Sequence, residues 1–136
     1  MRKESSYFWL GQFASAGNCD KYFNCQYDIL QAPISQFALD LGIKYYDPSQ
    51  IAYYFKEVDT IGALIDGCPY HEQYGSLITS EAVKTIKHVP NVFVMVNEAA
   101  IPFPKTILGK DMMLIYVGRY TYTIGDLPNQ SVKSSP

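Results

Sequence analysis

The stretch Asn91-Val92-Phe93-Val94-Met95-Val96-Asn97, NVFVMVN, decides how the rest of the chain has to be arranged. Between its two asparagines it is continuously apolar and rich in β-branched valine. A strand with one wet face alternates apolar and polar residues, so an unbroken run marks a strand covered on both faces. Downstream, Met112 to Thr123 begins apolar and then alternates. Tyr120, Tyr122 and Ile124 are separated by Thr121 and Thr123, the pattern of a strand whose far end is half exposed. Between the two strands, AAIPFPKTILGKD (Ala99 to Asp111) carries Pro102 and Pro104. Proline removes ladder donors, so this segment reads as a long hairpin-like connection with apolar Ile101, Phe103, Ile107 and Leu108. Near the start of the chain, Tyr7 to Gln12, with Gly11 at its close, reads as a first strand.

The segment between the first strand and Val92 reads as short helices. Ser15 to Phe23 is weakly helical, and Pro33 resets the chain. Ser35 is placed to cap a helix over Gln36 to Leu41, with Phe37, Ala38 and Leu41 on one face and Gly42 at C′. Asp47-Pro48 has the form of a helix start, a capping carboxylate followed by a residue with preset φ. Ile51, Tyr54, Phe55 and Val58 behind it fall at i, i+3, i+4 and i+7, which predicts an amphipathic helix. Asp59 is then expected to cap a short helix with Ile61, Leu64 and Ile65 inward, ended by Gly67 and Pro69. Thr79 or Ser80 is expected to start another, with Ala82, Val83 and Ile86 on one side and Pro90 as its stop. The expected fold is therefore α+β, a small antiparallel sheet of about three or more strands covered by several short helices. Residues 1–126 are expected to form one domain and residues 127–136 a polar, disordered tail.

Composition narrows the function classes. The chain has 136 residues, enough for one domain with a real core. Net charge is −2, too near neutral for a general nucleic-acid binder. The charge is segregated, however: Asp40 to Glu72 carries −4 and the remainder +2. That acidic centre is also tyrosine-rich, in a chain with 12 Tyr and a single Trp. Acids among tyrosines suit a basic protein partner, through charge complementarity and aromatic anchors. No apolar run reaches the ~20 residues of a membrane span, and the run in MRKESSYFWLGQF is short for a signal-peptide core. The cysteines, Cys19, Cys25 and Cys68, are odd in number and without CxxC pairing. Neither leader nor disulfide framework is expected, and a reduced cytoplasm is the expected compartment.

Catalytic readings find little support. Cys68 and His71, in CPYH, are too tightly spaced for a dependable nucleophile–base pair, and no third orienting group is evident. A zinc site there would need His88 with Cys19 or Cys25 as further ligands. Asp40 and Asp47 as an acid/base pair compete with structural roles, since Asp47 is placed to cap a helix and Asp40 lies on the polar side of its own. No phosphate-cradling glycine pattern occurs. No catalytic residue, metal or cofactor is therefore expected.

Four stretches carry a family resemblance: YFWLGQF, SQFALDLGIKYYD, NVFVMVN and LIYVGRYTY. The residues are Trp9, Leu10, Gly11 and Phe13; Ser35, Phe37, Ala38, Asp40, Gly42, Tyr45, Tyr46 and Asp47; and Tyr116, Gly118 and Tyr122. Across residues 7 to 123 the chain resembles the immunity protein 22 family, small bacterial proteins that neutralise a cognate polymorphic toxin. The resemblance implies a toxin or effector domain as partner, with no direct nucleic-acid or membrane partner, and supplies no set of contact residues. The chemistry of the sequence supplies one instead. Tyr53 is expected to face away from the apolar stripe of its helix beside Glu57, with Asp59 next and Tyr45 and Tyr46 just before. Asp40 and Glu72 extend the acidic surface, and Phe103 marks a second, apolar contact on the long connection. These acids point to a basic, nuclease-type toxin. Direct blocking of its active site and binding at a distance both stay open, and a monomer is the default state. The alternative reading is a non-catalytic module for a small molecule or peptide, which needs an apolar pocket with a few convergent polar groups.

Overall fold

The computed structural model describes residues 2–24, 26–27, 33–43 and 48–125. Tyr45, Tyr46, Asp47, Cys25 and the tail from Asp126 onward lie outside the described residues. In chain order the elements are β1 (Arg2–Phe13), α1 (Ala16–Phe23), β2 (Gln26–Tyr27), β3 (Pro33–Ile34), α2 (Gln36–Asp40) and a 3₁₀ turn, Pro48–Gln50. There follow β4 (Ile51–Phe55), α3 (Ile61–Ile65), α4 (His71–Ala82), β5 (Val92–Asn97), β6 (Ile107–Leu108) and β7 (Met112–Ile124).

The main sheet is five-stranded, in the order β4-β5-β1-β7-β6, and every neighbouring pair is antiparallel. The expected α+β class is what forms. β5 is fully buried from Val92 to Val96, as its unbroken apolar run requires. β1 lies beside it at the centre and divides its side chains between two cores. Trp9 and Phe13 join Val92, Val94, Val96 and Leu114 beneath α1 and α2. Phe8 and Leu10 join Phe93, Met95 and Tyr122 beneath α3 and α4. We refer to these as the first and second faces.

Local signals place several helices where the sequence puts them. The Ser15 and Ser35 side chains accept from the N–H groups of Asn18 and Ala38, both at 3.1 Å, capping α1 and α2. Gly42 follows α2 with φ +77°, the left-handed conformation that ends helices most cheaply at glycine.

Three expectations are corrected. The predicted helix behind Pro48 is a 3₁₀ turn followed by strand β4. Ile51, Tyr53 and Phe55 pack on the first face and Tyr54 on the second. Both parities are therefore apolar, and the helix-like spacing of Ile51, Tyr54, Phe55 and Val58 is incidental. α3 is capped by Thr60, whose Oγ1 accepts from the Ala63 N–H at 3.1 Å, rather than by Asp59. α4 starts at His71 and not at Thr79 or Ser80. Its N-cap, Tyr70, has φ 63° and makes no side-chain capping bond. Thr79 lies mid-helix with Oγ1 donating to the Gly75 carbonyl at 2.8 Å. Val83 then points outward, exposed.

A bulge in β7 decides where its tyrosines go. Phe8 pairs with Gly118 but Trp9 with Tyr116, so Val117 is the extra residue. Simple alternation would put Tyr116, Tyr120 and Tyr122 on one face. The bulge leaves Tyr116 on the first face and moves Tyr120 and Tyr122 to the second. Gly118 has φ +130°, which a side chain would strain.

Gly11 of β1 leaves no room for a side chain against β7. A Cβ there would stand 2.4 Å from the Met113 carbonyl oxygen and 2.6 Å from Leu114 Cδ2. Backbone on one side and packed core on the other leave little room to relax. Gly11→Ala is expected to destabilise the protein by about 2 kcal/mol or more, read as a lowered urea midpoint at unchanged slope.

Candidate partner-binding surface

The residues expected to touch a partner occupy more than one region. Asp40 ends α2, and both carboxylate oxygens are engaged. Oδ2 accepts from the Tyr22 hydroxyl at 2.8 Å and Oδ1 from Gln36 Nε2 at 2.9 Å. This carboxylate ties α1 to α2 and is half buried. Tyr53 lies on the edge strand β4. Its ring stacks on Phe23 of α1 at 4.5 Å between centroids, and its hydroxyl donates to Asp20 Oδ1 at 3.1 Å. Burial first, and then the bond to Asp20, raise its phenol above the ordinary value.

Glu57 and Asp59 are exposed in the link between β4 and α3. Glu72 is exposed in the first turn of α4, where an acid complements the helix dipole. Its Oε2 stands 3.5 Å from His71 Nδ1, and His71 Nε2 stands 3.3 Å from Asp66 Oδ1. Asp66, His71 and Glu72 border a groove between α3 and α4, floored by Gly62 and Gly75. The nearest lysine, Lys56, directs its ammonium to the Asp66 carbonyl at 2.7 Å. Glu57, Asp59, Asp66 and Glu72 thus belong to the α3–α4 layer, whereas Asp40 and Tyr53 pack with α1 and α2.

Phe103 is 77% exposed on the connection from β5 to β6. That connection is anchored rather than loose: Ile101 and Ile107 are buried in the first-face core, and Trp9 Nε1 donates to the Lys105 carbonyl at 2.8 Å. Its apolar side chains divide, with Ile101 and Ile107 folded back and Phe103 and Leu108 outward.

The sequence reading missed a polar–aromatic area around Arg119 on the first face. Arg119, opposite Tyr7 in the β1–β7 ladder, forms a two-pronged pair with Glu98, Nε to Oε1 at 2.8 Å and Nη2 to Oε2 at 3.2 Å. Those bonds hold the Glu98 carboxyl below the usual range. Tyr7 and Tyr116 stand beside it, edge to face at 6.1 Å. Only the strand register and the bulge bring these residues together.

The candidate nucleophile is disposed against reactivity. Cys68 is buried, its Sγ directed to the Leu64 carbonyl at 3.9 Å, and burial raises its thiol pKa. The His71 ring meets the Cys68 carbonyl oxygen at 3.0 Å rather than its sulfur. Cys19 belongs to the first-face core and Cys68 to the second, so the sheet separates these two candidate zinc ligands. Burial, with Asp20 adding to it, pushes the Cys19 thiol up to about 12.

A thiol kept neutral in the folded state stabilises fully below its unfolded pKa and loses that contribution as pH rises. For Cys19 the window runs from the ordinary value of 9.0 to about 12. Burial raises Cys68 and Tyr122 in the same direction. The guanidinium midpoint is therefore expected to fall steadily above pH 9, and Cys19→Ala to shallow that fall. In a Cys25→Ser background, native protein at pH 8 should react with a thiol reagent only at its unfolding rate.

The sequence model of the family described as immunity protein 22 matches residues 7–123. Neither a curated protein nor a solved structure gives a match. The matched span holds β5, the four described α-helices, β7 up to Thr123 and β1 from Tyr7. The chain belongs to the immunity protein 22 family.

Proposed function

We propose that the protein neutralises a cognate toxin domain by stoichiometric binding, in the cytoplasm of the cell that produces both. The match over residues 7–123 carries this reading. It acts by occupancy rather than chemistry, in keeping with a buried, unactivated Cys68 thiol. The α3–α4 side, where Glu57, Asp59, Asp66 and Glu72 are exposed, fits a basic, nuclease-type toxin. Tyr53 stands on the opposite face of the edge strand β4, packed on Phe23 of α1, and Tyr45 and Tyr46 precede it in the chain. Phe103 offers a separate apolar contact, and Asp40 contributes by fixing α2 against α1. The protein binds as a monomer and touches neither nucleic acid nor membrane.

The test is growth rescue in a bacterium induced to express the toxin domain encoded beside this gene. Wild-type protein and Cys68→Ala are expected to restore growth equally. Failure of Cys68→Ala alone, in a folded protein, would favour a catalytic role. Glu57→Lys with Asp59→Lys should weaken binding roughly tenfold or more, mainly by slowing association, with a flatter salt dependence. Unchanged association would move the contact away from these acids.

A further inference from the structure

We infer that the outer edge of β4 is a strand-addition site, which receives an extended, basic segment of the toxin; this rests on the immunity reading above. β4 is the terminal strand of the sheet, paired among the described residues with β5 alone. The ladder phase shows where its backbone groups point. Lys56 N–H bonds the Asn91 carbonyl at 2.9 Å in the β4–β5 register. Ala52 and Tyr54, in phase with Lys56, therefore face β5, while Ile51, Tyr53 and Phe55 send N–H and C=O outward. The bond from Glu98 N–H to the Ser5 carbonyl, in phase with Val92, Val94 and Val96 on the β1 side of β5, gives the same assignment independently. Among the described residues nothing hydrogen-bonds these outward groups.

Elsewhere the protein closes its ladder ends with side chains. The Gln73 amide donates to the Thr123 carbonyl at 2.9 Å and accepts its N–H at 2.8 Å, in place of a neighbouring strand on β7. Thr106 Oγ1 accepts the Tyr116 N–H at 3.0 Å, and the stretch between carries the charged Arg119. Asn91 does the same for Phe13 of β1, at 2.9 and 3.0 Å. β4, IAYYF, has no charge, proline or bulge, the devices that normally block strand addition.

Charge selects the occupant. Asp20 stands at the Tyr53 hydroxyl on the first-face side of the edge, and Glu57 and Asp59 follow the strand. Among the described residues the neighbouring bases are engaged elsewhere: Lys56 is bound to the Asp66 carbonyl, and Lys21 lies by a groove shared with Asp111 and Met112. An incoming strand with lysine or arginine opposite Tyr53, and apolar residues opposite Ala52 and Tyr54, satisfies both the backbone and the acids. A second copy is the poorer occupant, because antiparallel pairing centred on Tyr53 would bring two Asp20 carboxylates together.

The test is amide hydrogen exchange of the protein with and without the toxin domain encoded beside it. Free protein should exchange quickly at Ile51, Tyr53 and Phe55, and the complex should slow these amides at least roughly tenfold. Tyr53→Pro removes an outward donor while sparing the β5 ladder, so it should bind roughly 100-fold more weakly than Tyr53→Ala, which keeps the N–H. If the toxin binds and these amides stay fast, the edge assignment is overturned and the immunity reading stands. If they are slowed by raising the protein's own concentration, a second copy is the occupant and the proposal is wrong. If the wild-type protein does not bind the toxin, both readings fall together.

Discussion

A strand that is apolar on both faces has to be covered twice, and everything in this molecule follows from covering β1 and β5. Trp9 and Phe8 are adjacent in sequence, fully buried, and on opposite sides of the sheet. Short helices meet the requirement on each side, the first face by α1 and α2 and the second by α3 and α4. Burying each large aromatic contributes about 2–3 kcal/mol, so neither layer is dispensable. The close approach at Gly11 and the bulge at Val117 are local conditions of the same arrangement, since they bring β7 against β1 and then redirect its tyrosines.

Covering the faces leaves the edges. One side of the sheet is finished by β6, Thr106, Arg119 and Gln73. The other ends in β4, whose outward backbone groups have no such cover among the described residues. Of the exposed acids, Glu57, Asp59, Asp66 and Glu72 lie past the end of that strand and along α3 and α4. On the proposed reading, a protein that acts by binding needs a rigid surface with unsatisfied chemistry, which strand edge and acids would supply from adjoining parts of the chain. The Cys19 and Cys68 thiols lie one in each core, where burial raises their pKa.

Much of this was legible where the signal is local. The unbroken valine run announced β5, and Ser35 with Gly42 bracketed α2, because capping depends on residues within one turn. β4 was not legible. Its two partly buried faces remove the alternation that identifies a strand, and Ile51, Tyr54, Phe55 and Val58 happen to fit a helix. The start of α4 was hidden for a different reason, since Tyr70 enters it through a left-handed residue without a capping side chain. Asp59 and Thr60 are adjacent, equally good caps by type, and only geometry separates them. The acidic character around Glu57, Asp59 and Glu72 was visible in composition. The Arg119–Glu98 pair and the Gln73 clasp depend on register, which short-range patterns do not encode.

The central claim is that this chain works by tight binding of one toxin domain. Isothermal titration of the purified protein with the toxin domain encoded beside it tests that most directly. Tight binding would appear as a one-to-one complex with a dissociation constant of roughly nanomolar or tighter, weakening as salt is raised. Absence of binding at roughly 10 μM of each protein would contradict it.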